Sequence, residues 1–112
     1  MTKETEEINV HLSSGNVFAD LGLLNSDELL IKAELVHQIS ELILVRKLTQ
    51  AEAAELLGID QPKVSALVRG KLSGFSTERL FRFLNALGSN VEIRVVPNSQ
   101  ASVPAQTRVV MV

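Results

Sequence analysis

The chain has 112 residues, of which 46% are hydrophobic, and a formal net charge of −2. This length allows one domain with flanking segments and does not allow two domains of ordinary size. No apolar run approaches the roughly 20 residues that a membrane-spanning helix needs, and the start MTKETEE lacks the features of a signal peptide. The absence of cysteine excludes disulfides and thiolate metal sites, and we expect a cytoplasmic protein with no membrane partner.

The charge is unevenly distributed along the chain. Residues 1–45 carry two basic and eight acidic side chains, whereas residues 46–96 carry eight basic and five acidic ones. The net charges of these two parts are therefore −6 and +3, and Arg108 adds one positive charge. This pattern predicts one half that faces a polyanion and one that faces a different partner, although a difference of this size can also arise by chance.

The first predicted element is a flexible acidic segment at residues 1–16, which are polar and lack helical periodicity. Val17–Leu24 (VFADLGLL) is predicted to be a short apolar turn that packs on the domain formed by residues 17–96.

A long amphipathic helix is predicted to begin near Ser26. Asn25 can cap it, and Glu28 completes a reciprocal capping arrangement. Arg46 and Lys47 are expected in its last turn, where cations suit the helix dipole. Apolar side chains recur every three or four positions along it, at Leu29, Ala33, Val36, Ile39 and Ile43.

Two shorter helices are predicted next, separated by a turn at Gly58. Thr49 and Glu52 form a capping box at the start of the first one, and Gly58 has the left-handed preference expected at its end. Asp60 can cap the following helix, and Pro62 falls in its first turn, where a missing amide hydrogen is tolerated.

The third helix is predicted to stop at Gly70, and a fourth is predicted from Ser76 to Leu87. Val91–Val96 (VEIRVV) has the β-branching and alternation of a strand, and residues 97–112 are predicted to be a flexible tail.

The predicted strand is also the candidate dimer contact. Its apolar face is expected to lie over the fourth helix, and its unpaired edge invites pairing with a second copy of the chain in a homodimer. The apolar stretch RVVMV at the carboxyl end could instead supply a second strand within one chain. The proposed dimer residues are Val91, Ile93 and Val95.

The stretch from Gln50 to Arg69 has the pattern that two steeply crossing helices need. Small side chains at Ala53 and Ala54 let the helices approach, and Gly58 turns the chain. A helical hairpin that contributes only to a core could have the same pattern. The apolar positions that flank the turn and line the second helix are Leu57, Ile59, Val64 and Leu67.

The segment TQAEAAELLGIDQPKVSALVRGK resembles the helix-turn-helix of the phage-repressor-like (Xre/Cro) DNA-binding proteins. The wider run from NVFADLGL to GFSTERLFRFLNALGSNVEIRV resembles the HigA-like branch, whose members often serve as antitoxins encoded beside RelE-like ribonuclease toxins. The resemblance covers Asn16 to Val96. It implies a mainly all-α fold, a lambda-repressor-like bundle of four to five helices followed by a C-terminal β-strand.

The third helix is the expected recognition helix, with base-reading residues on the face opposite Val64 and Leu67. Glutamine can pair bidentately with adenine, proline and alanine can contact a thymine methyl group, and serine can donate or accept. Ser65 and Ala66 could equally be ordinary helix surface. The predicted base-reading residues are Gln61, Pro62, Ser65 and Ala66.

Phosphate contacts are predicted around this helix, where they fix register without reading sequence. Lys63, Arg69 and Lys71 are cationic, although they could also be ordinary solvated charges. Gln50 resembles the family's phosphate-contacting glutamine, and Ser73 and Ser76 lie at a helix start that suits an anion. Asp60 is expected to cap its helix instead of contacting DNA. Phe75, Phe81 and Phe83 are expected in the core or in a dimer contact.

The sequence therefore predicts a sequence-specific regulator that binds a palindromic operator in double-stranded DNA as a homodimer. The resemblance implies an autoregulating repressor and antitoxin, with a RelE-like toxin as partner of the acidic amino-terminal half. Two alternatives are a stand-alone phage-type regulator and a protein-interaction module that uses the helix-turn-helix as a scaffold.

No catalytic constellation accompanies these features. His11 and His37 lie in different segments, no HExxH spacing supports a metal site, and neither a G-x-S-x-G elbow nor a phosphate-binding glycine loop occurs. We expect no enzyme activity, no metal and no cofactor.

Overall fold

Four helices make up the regular structure in the computed structural model, which describes residues 26–111. They are α1 (Ser26–Val45), α2 (Gln50–Leu57), α3 (Gln61–Val68) and α4 (Thr77–Ala86). The mainly helical fold is confirmed, and the helix ends differ from the predicted ones by one or two residues. The predictions for residues 1–16, for the Val17–Leu24 segment and for Asn25 as a cap lie outside the described residues.

All four helices contribute to one apolar core. Ile39 of α1, Ala53 of α2, Leu80 of α4, and both Val64 and Leu67 of α3 are fully buried. Each of α1 and α2 packs against both α3 and α4. Because burial of apolar surface is the main stabilising term in folding, α3 is held in place from its inner side. The remaining core side chains are Leu35, Val36, Ile43, Ala54, Leu57, Phe75, Phe83, Leu84 and Leu87.

The α1 helix ends earlier than the sequence predicted and closes in a left-handed turn. The helix stops at Val45, and Lys47 adopts a left-handed backbone with a φ of 56°. The Leu48 amide then donates to the Ile43 carbonyl at 3.1 Å, which closes the helix. Arg46 and Lys47 therefore lie beyond the last turn, and Arg46 Nη1 donates to the Leu87 carbonyl oxygen at 3.1 Å. This bond joins the end of α1 to the end of α4.

A three-residue turn connects α2 to α3, as predicted. Gly58 ends α2 with φ 74° and ψ 30°, and its amide donates to the Ala54 carbonyl at 2.9 Å. The capping box is present at the other end of α2, where the Thr49 amide donates to Glu52 Oε1 at 2.8 Å and the Glu52 amide donates to Thr49 Oγ1 at 3.0 Å.

The C-terminal β-strand predicted at Val91–Val96 is not present, and residues 87–111 contain neither a helix nor a strand. A strand requires a neighbouring backbone to satisfy its amide and carbonyl groups, and no described part of this single chain, including 108–111, pairs with these residues. Val91 is half-buried against the core, whereas Ile93 and Val95 are 74% and 95% exposed. The prediction that this apolar face covers the fourth helix is therefore wrong for Ile93 and Val95.

Candidate nucleic-acid interface

One face of α3 is anchored in the core and the opposite face is open. Val64 and Leu67 are fully buried, and Val68 is half-buried. With 3.6 residues per turn, Pro62 and Arg69 fall on the opposite side of the helix, and both are exposed. The short helix therefore projects one side to solvent on a rigid apolar base.

The start of α3 is fixed by Asp60. Its Oδ1 atom accepts a hydrogen bond from the Lys63 amide at 2.9 Å, so the predicted capping role is confirmed. Pro62 lies in the first turn, where amide groups have no carbonyl partner within the helix, so its missing amide hydrogen breaks no helical hydrogen bond. These two residues set the direction in which the helix leaves the turn.

The four predicted base-reading residues differ in exposure. Gln61 and Pro62 are exposed at the start of α3, whereas Ser65 and Ala66 are half-buried in its second half. Recognition helices of this type present their amino-terminal residues to the base edges in the major groove. Gln61 and Pro62 are therefore accessible without rearrangement of the fold, and Ser65 and Ala66 offer a smaller exposed area.

The predicted phosphate-contacting cations lie along and just beyond α3. Lys63, Arg69 and Lys71 are exposed, and none of them pairs with an acidic side chain in the described part of the chain. From residue 61 to residue 76 these three cations occur without any acidic residue. The segment from the start of α3 to the start of α4 is thus positively charged in a chain of net negative charge. The polar candidates Gln50, Ser73 and Ser76 are also exposed.

Ser76 has a structural role in addition to its predicted one. Its Oγ atom accepts from the Arg79 amide at 3.2 Å and so caps α4. The hydroxyl hydrogen remains available as a donor.

Arg79 is a residue of this region that the sequence interpretation did not single out. Its guanidinium carbon lies 5.4 Å from the centroid of the Phe75 ring and 5.5 Å from that of Phe83. Both rings are buried, which confirms a core position for them. Arg79 and Phe83 are four residues apart on α4 and therefore share one side of the helix, which is a signal in the sequence. Phe75 precedes the Ser76 cap, so helical spacing does not indicate its place in the cluster.

Neither a metal centre nor a membrane span emerges from the described residues. No group of three or more His, Cys, Asp and Glu side chains in this part of the chain could hold a metal ion. None of the four helices is long and apolar enough to cross a membrane.

Two short helices joined by a three-residue turn, with the second one open on its outer face, define a helix-turn-helix unit. A model of the helix-turn-helix domain family matches residues 17–96. A solved structure of a protein provisionally named an XRE-family transcriptional regulator has 42% sequence identity to this chain and a TM-score of 0.75, and the match covers 79% of this chain and 99% of the other. No curated protein shows significant similarity to the chain.

The chain belongs to the helix-turn-helix family of the XRE type.

Proposed function

We propose that this protein is a sequence-specific, double-stranded DNA-binding transcriptional regulator that represses its own operon. The observation that carries the proposal is the exposure of Gln61 and Pro62 at the start of α3 and of Arg69 at its end, while Val64 and Leu67 are fully buried. A helix held in this way fits the major groove of B-form DNA, which is wide enough to admit an α-helix. The name of the solved structure that resembles this chain, an XRE-family transcriptional regulator, supports the same activity.

The residues divide into two roles in this proposal. Gln61 reads an adenine edge, and Pro62, Ser65 and Ala66 provide smaller contacts to base edges and thymine methyl groups. The charged and polar residues around them hold the sugar–phosphate backbone and fix the register of α3 in the groove. The phosphate-contacting set is Gln50, Lys63, Arg69, Lys71, Ser73 and Ser76.

Selection of bound duplexes from a random pool tests this function directly. One recognition helix covers half a site, so a two-fold dimer should enrich palindromic sequences with half-site centres about 34 Å apart. A salt titration of the enriched duplex should then give a steep slope, because each phosphate contact contributes about −0.9 to the log–log dependence of affinity on salt. Weak binding that salt does not alter would favour the rival function, a protein-interaction module that uses the helix-turn-helix as a scaffold.

The homodimer is proposed to form through residues 91–96. Exposed Ile93 and Val95 and the unpaired backbone between them support strand pairing with a second copy, since the described single chain leaves this edge without a partner. Ile93→Lys should yield a monomer at micromolar concentration. Leu44→Lys is the matched control, because Leu44 of α1 is similarly exposed, at 72%. A dimeric Ile93→Lys variant would exclude the strand as the central contact.

A second proposed function is that of an antitoxin for a RelE-like toxin. The observation that favours it is the charge distribution: residues 1–25 carry one basic and four acidic side chains, a net charge of −3, and α1 carries one basic and four acidic side chains, a further −3. A ribonuclease toxin needs a cationic surface to bind RNA, and an acidic segment that folds on binding could cover that surface. Co-purification with the product of a neighbouring gene would support this role. A gene without a small basic neighbour would favour a stand-alone phage-type regulator.

A further inference from the structure

The side chain of Arg79 is held by two aromatic rings before any ligand binds. Its guanidinium carbon is within 5.5 Å of the centroids of both the Phe75 and the Phe83 rings, and these rings meet edge to face at 6.0 Å. Both rings are buried, so the core fixes their positions. Attraction between the cation and the two rings in turn fixes the guanidinium. A group that is already ordered loses little entropy when it contacts a ligand.

This guanidinium lies at the loop that joins α3 to α4. Arg79 Nη1 donates to the Gly74 carbonyl oxygen at 3.5 Å, and the Arg79 amide donates to Ser76 Oγ at 3.2 Å. Gly74 directly follows Ser73 in the chain. Arg79 therefore contacts Ser76 through its backbone and Gly74, the sequence neighbour of Ser73, through its side chain.

Most of the hydrogen-bonding capacity of Arg79 is unused. A guanidinium has five N–H donors, and the described contacts use one of them, at a long distance. The adjacent carboxylate of Glu78 pairs with Arg82 at 3.6 Å and not with Arg79. Arg79 is also in the first turn of α4, where the helix dipole disfavours a cation. An anion bound beside this turn would relieve that unfavourable interaction and would satisfy the free donors.

We propose that Arg79 is a phosphate clamp that binds the sugar–phosphate backbone of duplex DNA at the loop between α3 and α4. The proposal rests on the proposed DNA-binding function and adds a contact beyond the exposed cations of α3. The planar fork of a guanidinium can engage two phosphate oxygens at once, which a lysine ammonium group cannot do. The two phenylalanine rings act as positioning groups that hold the fork in place.

The test compares Arg79→Gln with Arg82→Gln, a matched control one turn further along α4 whose side chain is 72% exposed and paired with Glu78. Affinity for a duplex enriched from a random pool is measured between about 0.1 and about 0.5 M salt, where each phosphate contact contributes about −0.9 to the log–log slope of affinity against salt. Arg79→Gln should bind about eightfold more weakly at the lowest salt and should reduce the slope by about 0.9, to a similar extent on every duplex sequence. Arg82→Gln should leave the slope unchanged.

Two outcomes would overturn the clamp. One is an Arg79→Gln variant that keeps the full salt slope, even with a lower melting temperature, because Arg79 would then serve only the core. The other is an equal loss of slope in Arg82→Gln, which would assign the effect to net charge. Duplex binding that is absent in the unaltered chain would instead overturn the proposed function, and the clamp with it.

Arg79→Lys keeps the test decisive if Arg79→Gln does not fold. This variant retains the charge and removes the planar fork, so it should keep the salt slope and lose affinity severalfold. Thermal unfolding followed by circular dichroism verifies that the variant is folded. Affinity equal to that of the unaltered chain would show that the fork is not used and would overturn the proposal.

Discussion

Gly58 sets the direction in which α3 leaves α2, and Gly58→Ala measures how strongly the turn depends on it. The residue has a φ of 74°, in the left-handed region, and a Cβ atom added to it would meet no atom within 4 Å. The effect of the substitution is therefore torsional and not steric. A left-handed backbone costs a non-glycine residue about 1–2 kcal/mol. The reduced freedom of the unfolded chain offsets about 0.4–1 kcal/mol of this, which leaves a net loss of about 1 kcal/mol.

Urea unfolding followed by circular dichroism measures this loss, and Gly58→Asn is the matched control. Asparagine tolerates the left-handed region better than alanine does, so Gly58→Asn should be more stable than Gly58→Ala. Both variants should retain duplex affinity at temperatures where they remain folded, because neither residue adds an atom to α3. A loss well above 3 kcal/mol for Gly58→Ala would refute the torsional explanation, as would equal losses for alanine and asparagine.

Three further predictions concern the anchoring of α3, the end of α1 and the division of roles at the interface. Leu67→Ala should lower the free energy of unfolding by about 2–5 kcal/mol, because it opens a cavity under α3; a denaturant titration that shows no loss would contradict the buried position. Lys47→Gly should raise stability by up to about 1 kcal/mol in the same assay, because it removes left-handed strain of about 1–2 kcal/mol at a flexibility cost of about 0.5–1 kcal/mol; a decrease would contradict this reasoning. Gln61→Ala should relax preference at one base pair by about 1–3 kcal/mol, whereas Arg69→Ala should weaken binding to all duplexes alike. Competition binding with single-base variants of the site distinguishes the two substitutions. A loss of affinity that is uniform across sequences for both would show that Gln61 and Arg69 do not have separate base-reading and phosphate-anchoring roles.

The helices and the turn could be predicted because their signals are local. Thr49 and Glu52, three residues apart, form the capping box of α2, and Asp60 caps α3 from the position directly before it. Gly58 adopts the left-handed backbone of the turn because glycine tolerates that region. Each of these features depends on neighbours within about one helical turn. Short-range physics was therefore sufficient to place α2 and α3 and to identify which side of α3 faces the core.

The features that sequence reasoning missed depend on contacts between distant parts of the chain or on unusual backbone. The pattern of Val91–Val96 expresses a preference for extended structure, but a strand also needs a partner backbone. Lysine is an uncommon residue in the left-handed region, so nothing local marked Lys47 as the end of α1. Similarly, the bond from Arg46 to the Leu87 carbonyl joins residues 41 positions apart.

A pair of charge variants tests whether the outer face of α3 enters the DNA groove. Pro62→Glu places a carboxylate on that face at an exposed position in the first helical turn, where the helix dipole tolerates an anion. Ala86→Glu makes the same change in charge at an exposed position in the last turn of α4. In a binding assay with one enriched duplex at about 0.1 M salt, Pro62→Glu should weaken binding by about tenfold or more, because it places a negative charge close to the phosphates. Ala86→Glu should bind within about twofold of the unaltered chain, as expected for a charge at the end of α4 that is remote from the loop joining it to α3. Equal affinities of the two folded variants would contradict the account.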